Sequence, residues 1–246
     1  MPLRPSPAVS RLGVATLILP LVLIASRASA QASVDAHAEN ELWPSAVVTA
    51  PVGARIDVGA ALRMKLREPS GDARERAVGA TASLTSHGVR VALAAERLTH
   101  WSRDDGEPST TEHRVTLDAT HDLLRASRVR LWQRSRVESR DFGERHAYRM
   151  GDRLQLELRH RTSDERRTPD EHALRSRLTP YLSLESSYDT RYHTVNRVLG
   201  YAGTRAGLHA CCAVDVQGFG LHDSRGAVRW TRGVAVALRV NARIRD

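Results

Sequence analysis

The stretch RVRLWQRSRVESRDFGERHAYRMGDRLQLELRHR, residues 128–161, decides the fold. Arg130, Trp132, Arg134, Arg136, Glu138 and Arg140 fall on alternate positions, against Val129, Leu131 and Val137. After a break, Arg153, Gln155, Glu157, Arg159 and Arg161 repeat the pattern against Met150, Leu154, Leu156 and Leu158. Successive side chains of a strand point to opposite faces, so a period of two reads as strand. The stretch is predicted to be a hairpin turning through Gly143, with a charge ladder on one face and an apolar stripe on the other. A soluble sheet turns such a stripe to a core. A transmembrane barrel turns it to lipid and lines its lumen with the charge.

The rest of the chain repeats the alternation. Ile56, Val58, Ala60, Leu62, Met64 and Leu66 form one stripe, closed by turn residues at 69–72. Val78, Ala80, Ala82 and Leu84 form the next, then a tight turn at His87 and Gly88. Val89, Val91, Leu93 and Ala95 follow, then Val115, Leu117 and Ala119. Leu178, Leu182 and Leu184 alternate with Tyr181 and Glu185, and Pro180 predicts a bulge or bend because it lacks a ladder donor. Two strands are predicted at 195–204 and 207–218, and a last one near 227–244. No helical stripe is sustained. Counting the segment around Trp43, which Pro44 breaks, there are about eleven strands. Bacterial single-chain barrels have an even number. The expectation is therefore about ten strands from Arg55 onward, or twelve, with both termini on one side. The connections after Arg67, Trp101, Asp141, Tyr188 and Gly218 would then share the opposite end.

Compartment is read from the N-terminus. Arg4 and Arg11 precede an apolar run at 13–25, and Ala28, Ser29 and Ala30 form a small-residue cleavage site. The run is short of the ~20 residues that span a bilayer. Residues 1–30 are expected to be a cleaved signal peptide, 31–40 a flexible segment and 41–246 one barrel domain in the outer membrane. Its expected partners are outer-membrane lipid and the barrel-assembly machinery, with oligomeric state left open. Aromatics make up only 4% of the chain. An interfacial girdle would draw on Trp101, Trp132, Tyr148, Tyr188, Tyr192, Tyr201 and Trp230. Asp246 replaces the terminal aromatic usual in outer-membrane proteins.

The chain carries 37 basic and 28 acidic residues. Its arginines alternate along strands among acids, which argues against a nucleic-acid surface. Cys211 and Cys212 are neighbours and read as free thiols. The sequence lacks H-E-x-x-H, C-x-x-C, an acidic calcium loop and G-x-S-x-G. No metal, cofactor or enzymatic role is expected. The remaining alternatives are a soluble periplasmic β protein binding a ligand or partner, and a lipid hydrolase or acyltransferase using His121, His160 or His209.

From Trp43 to Ile244 the chain resembles the predicted Gram-negative outer-membrane proteins called domain of unknown function 2490. The resemblance is carried by Trp43, by Arg134, Arg136, Glu138 and Arg140 at alternate positions, and by Tyr148 with Arg149. Pro180, Tyr181 and Glu185, then Asn196, Arg197 and Gly200, complete it. It implies a barrel and an outer-membrane address, and no activity. The candidate site is the charge ladder: Arg134, Arg136, Glu138 and Arg140 meeting Arg153, Glu157 and Arg159, with Arg175, Arg177, Glu185 and Arg197 joining. No molecular function is assigned from the sequence: the ladder is read first as structural, pairing strands and fixing their register, with a basic lumen forming a narrow passage that favours anions as the other reading.

Overall fold

A computed structural model describes residues 38–68, 70–101, 108–158, 178–209, 211–224 and 230–242. The expected signal peptide and residues 31–37 lie outside these residues. The strands are β1 (Ala38–Pro51), β2 (Ile56–Arg67), β3 (Ala73–Ser86), β4 (Val89–Trp101), β5 (Pro108–Arg125) and β6 (Val129–Asp141). They continue as β7 (His146–Leu158), β8 (Leu178–Asp189), β9 (Thr194–His209), β10 (Cys212–Asp223) and β11 (Trp230–Asn241). Each pairs with its sequence neighbour, and β1 closes on β11 to complete a barrel of eleven strands.

Closure corrects the expected strand count. With an odd number of up-and-down strands, the first and last run the same way. The seam between β1 and β11 is accordingly parallel, in register from Ala38↔Trp230 to Thr49↔Asn241. The segment around Trp43, set aside in the sequence reading, is that closing strand, and it begins within the segment expected to be flexible. Pro44 does not end it. The ladder to β2 passes from Leu42↔Leu66 to Ser45↔Arg63, with no partners assigned to Trp43 and Pro44. A residue without an N–H sits at such a gap at little cost. The described chain ends also fall at opposite ends of the barrel, not on one side. The strand ends at Arg67 and Ala73, Trp101 and Pro108, Asp141 and His146, Asp189 and Thr194, and Asp223 and Trp230 do share one end.

Two further expectations change. No register shift occurs at Pro180, which pairs in line with Thr204; the irregularity lies at Ser187 and Tyr188. And β9 continues through the proposed turn at 205–206 to His209. The cysteines sit at the next turn as free thiols, their Sγ atoms 3.0 Å apart. The tight turn at His87 and Gly88 is confirmed. Both have positive φ, 48° and 79°, as a two-residue turn matching strand twist requires.

The wall is inside-out relative to a soluble sheet. Leu182 is 59% exposed, Leu184 58%, Leu117 51% and Met150 51%, all on the outer face. Glu112 and Asp189 are 0% exposed, inside. The alternation read at 128–161 holds: β7 reads exposed–buried from His146 to Leu158, with Arg149, Gln155 and Glu157 buried. One outer spot departs from the apolar stripe. Asp152 accepts hydrogen bonds from Ser135 at 2.6 Å and Gln133 at 3.2 Å. The girdle is thinner than expected: Tyr148, Tyr192 and Trp230 are exposed, but Trp132 and Tyr201 turn inward.

Candidate functional site

The strands deliver their polar faces to one lumen. Opposite positions on β6 and β7 are Arg130↔Glu157, Arg134↔Arg153, Arg136↔Gly151 and Glu138↔Arg149. The expected ladder is therefore on the correct face, but its partners differ. Glu157 meets Arg130, at 3.6 Å, and accepts from Trp132 Nε1 at 3.0 Å and Gln155 Nε2 at 2.9 Å. Arg134 and Arg153 oppose each other, an arrangement that repels. Arg134 instead donates to Glu185 at 2.9 Å, two strands away.

A buried network of forked ion pairs is built on carboxylates outside the expected ladder. Arg140 grips Glu112 with two bonds, Nε to Oε1 at 2.6 Å and Nη2 to Oε2 at 2.7 Å. Arg114 donates Nε to the same carboxylate at 2.9 Å. Arg136 grips Asp118 likewise, at 2.7 and 2.8 Å. Asp189 gathers Arg191 at 2.8 Å, Arg149 at 3.3 Å and Arg140 at 3.4 Å. Forked pairing of this kind is the strongest geometry available to guanidinium. It keeps buried charges from standing uncompensated. The missed signal was the inward face of β5, where Glu112, Arg114, Thr116 and Asp118 alternate with Val115 and Leu117.

Beside this network lies a cavity of about 540 Å³. Ten basic side chains line it against three acidic ones, Glu75, Glu138 and Glu185. Of the expected site residues, Arg134, Arg136, Glu138, Arg140, Arg153, Glu185 and Arg197 all reach it. Glu157 stands beside it in the network, and Arg159, Arg175 and Arg177 lie outside the described residues. The Nε atoms of Arg134, Arg149, Arg153 and Arg197 are buried and find no acceptor among the described residues. Along β9 to β11 and β1 the wall beside these arginines carries an apolar patch. Leu199, Phe219, Leu221 and Ala235 form a buried cluster with Trp43 and Tyr201 packed on it. Trp43 stacks on Phe219 at 4.0 Å, and the Arg153 guanidinium sits 4.7 Å from the Tyr201 ring centre. Among the described residues, no three His, Cys, Asp or Glu side chains gather to hold a metal.

No protein-family model and no curated protein matches the chain. Solved barrels do. LpxR from Salmonella typhimurium aligns with a TM-score of 0.49 at 7% identity, over 76% of this chain and 84% of that one. The β domain of the Bordetella autotransporter BrkA gives 0.41 at 14%, over 75% and 82%. OmpT, an outer membrane protein of Vibrio cholerae, gives 0.37 at 7%, over 68% and 54%. All three scores lie below 0.5, too low to bear on function.

Proposed function

We propose that this chain is an outer-membrane β-barrel whose basic lumen forms a narrow passage selective for anions, without a catalytic role. The observation that carries this reading is the polarity of the wall: leucine and valine outside, paired and excess arginine inside. In water that wall would expose far more than the few hundred Å² of contiguous apolar surface usual for a soluble monomer. This weighs against the soluble periplasmic alternative. Strands of 12 to 18 residues exceed the ~9–11 needed to cross the hydrocarbon. Small eight-stranded barrels are filled by side chains, and porins of 16 or more leave open channels. Eleven strands fall between, in keeping with a lumen part filled by ion pairs and part open as the cavity. Membership of the domain of unknown function 2490 group belongs to the same proposal, on the residues quoted above.

Fractionation tests the address. The protein is expected in the outer-membrane fraction, with a different gel mobility before and after boiling. Release in the periplasmic fraction without detergent, and no heat shift, would overturn it. Planar-bilayer recording tests the lumen. Arg136 is a poor probe because Asp118 grips it; Arg153 makes no described ion pair. Wild type should favour chloride over potassium, and Arg153→Glu should lower that preference severalfold. Equal permeability in both proteins would sink the passage.

A further inference from the structure

The cavity has two unlike halves that a passage for inorganic ions does not need. On one side, Arg153 and Arg197 make no described ion pair, and their buried Nε atoms, with that of Arg134, lack acceptors. Buried donors without partners are costly. The inward position between Arg149 and Arg153 is Gly151, which lines the cavity and leaves it open there. Next to these arginines, Leu199, two residues along β9 from Arg197, and Tyr201, against which Arg153 packs, carry the wall into the apolar cluster.

We propose that this cavity binds one amphiphilic organic anion, a phosphate monoester bearing an aromatic or acyl substituent. The head sits at Gly151 between Arg153, Arg197 and Arg134, and the substituent lies against Leu199 and Tyr201. Guanidinium forks suit phosphate oxygens, and the bound oxygens would supply the acceptors those Nε atoms lack. The volume is that of a pocket for a molecule of such size. The proposal rests on the reading of a basic lumen above and names what it holds.

The test is calorimetry on the full barrel in a non-ionic detergent, with phenyl phosphate and inorganic phosphate as probes. Phenyl phosphate should bind saturably at one site, at least tenfold tighter than inorganic phosphate. Arg197→Gln should weaken phenyl phosphate at least tenfold, and Tyr201→Ser should erase the difference between the probes. Heat-modifiability of each variant confirms that it has folded. No saturable binding, or equal binding by wild type and Arg197→Gln, overturns the site. Inorganic phosphate binding as tightly as phenyl phosphate overturns its apolar half. The same preparations separate the two readings. Anion-selective conductance without phenyl phosphate binding sinks the site alone. Binding without selectivity sinks the passage alone.

Discussion

Arginines that look alike in this chain do different work. Arg140 is bound through Nε and Nη2 to Glu112, which is 0% exposed. Arg197 makes no described ion pair, and its buried Nε has no acceptor. Removing Arg140 takes the two shortest bonds from a buried carboxylate that Arg114 and His100 still hold, a loss of about 1.5–3 kcal/mol for hydrogen bonds to a charged group. Arg140→Gln should lower the unfolding free energy of the barrel, read from its urea midpoint and slope, by that margin. Removing Arg197 strands nothing, so Arg197→Gln should shift stability by less than about 1 kcal/mol, in either direction. Denaturant titration followed by the heat-modifiable band distinguishes them. Equal losses in the two variants would mean that the network, as described, does not hold the barrel together. The sequence shows which face each arginine occupies, because alternation is local. It does not show the partner, because partners depend on register between strands. Arg140 lies opposite Arg114 yet bonds Glu112, one step along the same face. Arg134 reaches past Arg153 to Glu185. Such diagonal choices follow from the lean of long side chains across a tilted wall.

Among the elements, the seam between β1 and β11 is the place where the barrel commits to its size. Gly233 stands there, and a Cβ on it would overlap the carbonyl oxygen of Glu41 and lie 2.9 Å from the Phe219 ring. Any side chain must push the closing strands apart. Gly233→Val should abolish the heat-modifiable form, whereas Gly220→Ala, where an added Cβ meets nothing within 4 Å, should leave it unchanged. A normal heat shift in Gly233→Val would mean that the barrel closes elsewhere. This seam was illegible in sequence for a physical reason. Evenness is a habit of bacterial barrels, and Pro44 weakens the local strand pattern. Only long-range pairing with residues some 190 positions away reveals that the segment completes the ring. The turn and the alternation of the β6–β7 hairpin were legible because both are local, whereas its cross-strand partners were not, since Arg134 faces Arg153 and bonds Glu185 instead. The end of β9 was not: Gly203 and Gly207 resemble a turn, but Gly203 lies where Gln217 and Val216 approach its backbone closely.

The whole molecule makes one claim that a soluble protein does not, namely that its outer wall faces hydrocarbon. Leu117 tests it well. It lies near the middle of β5, 51% exposed, opposite Leu93 on one side and Val137 on the other. It touches none of the lumenal ion pairs, so its replacement leaves the interior intact. In water, an exposed Leu→Arg change shifts stability within about 0.5 kcal/mol. At the midplane of a bilayer, arginine on a lipid-facing position costs about 2–4 kcal/mol. Leu117→Arg should therefore lower the unfolding free energy of the barrel in lipid vesicles by that amount, and lower its yield in the outer-membrane fraction. The inward neighbour Thr116 supplies the contrast. Thr116→Ser changes a lumenal side chain by one methyl group and should leave the unfolding free energy within about 1 kcal/mol of wild type. If Leu117→Arg instead matches wild type in yield and midpoint, the wall is wet. The excess arginine inside would then have to be explained as the interior of a soluble barrel. That outcome is physically unfavourable, because such a barrel would bury its charge and expose its grease at once. The measured midpoint difference thus reports directly on which solvent the outer face was built for.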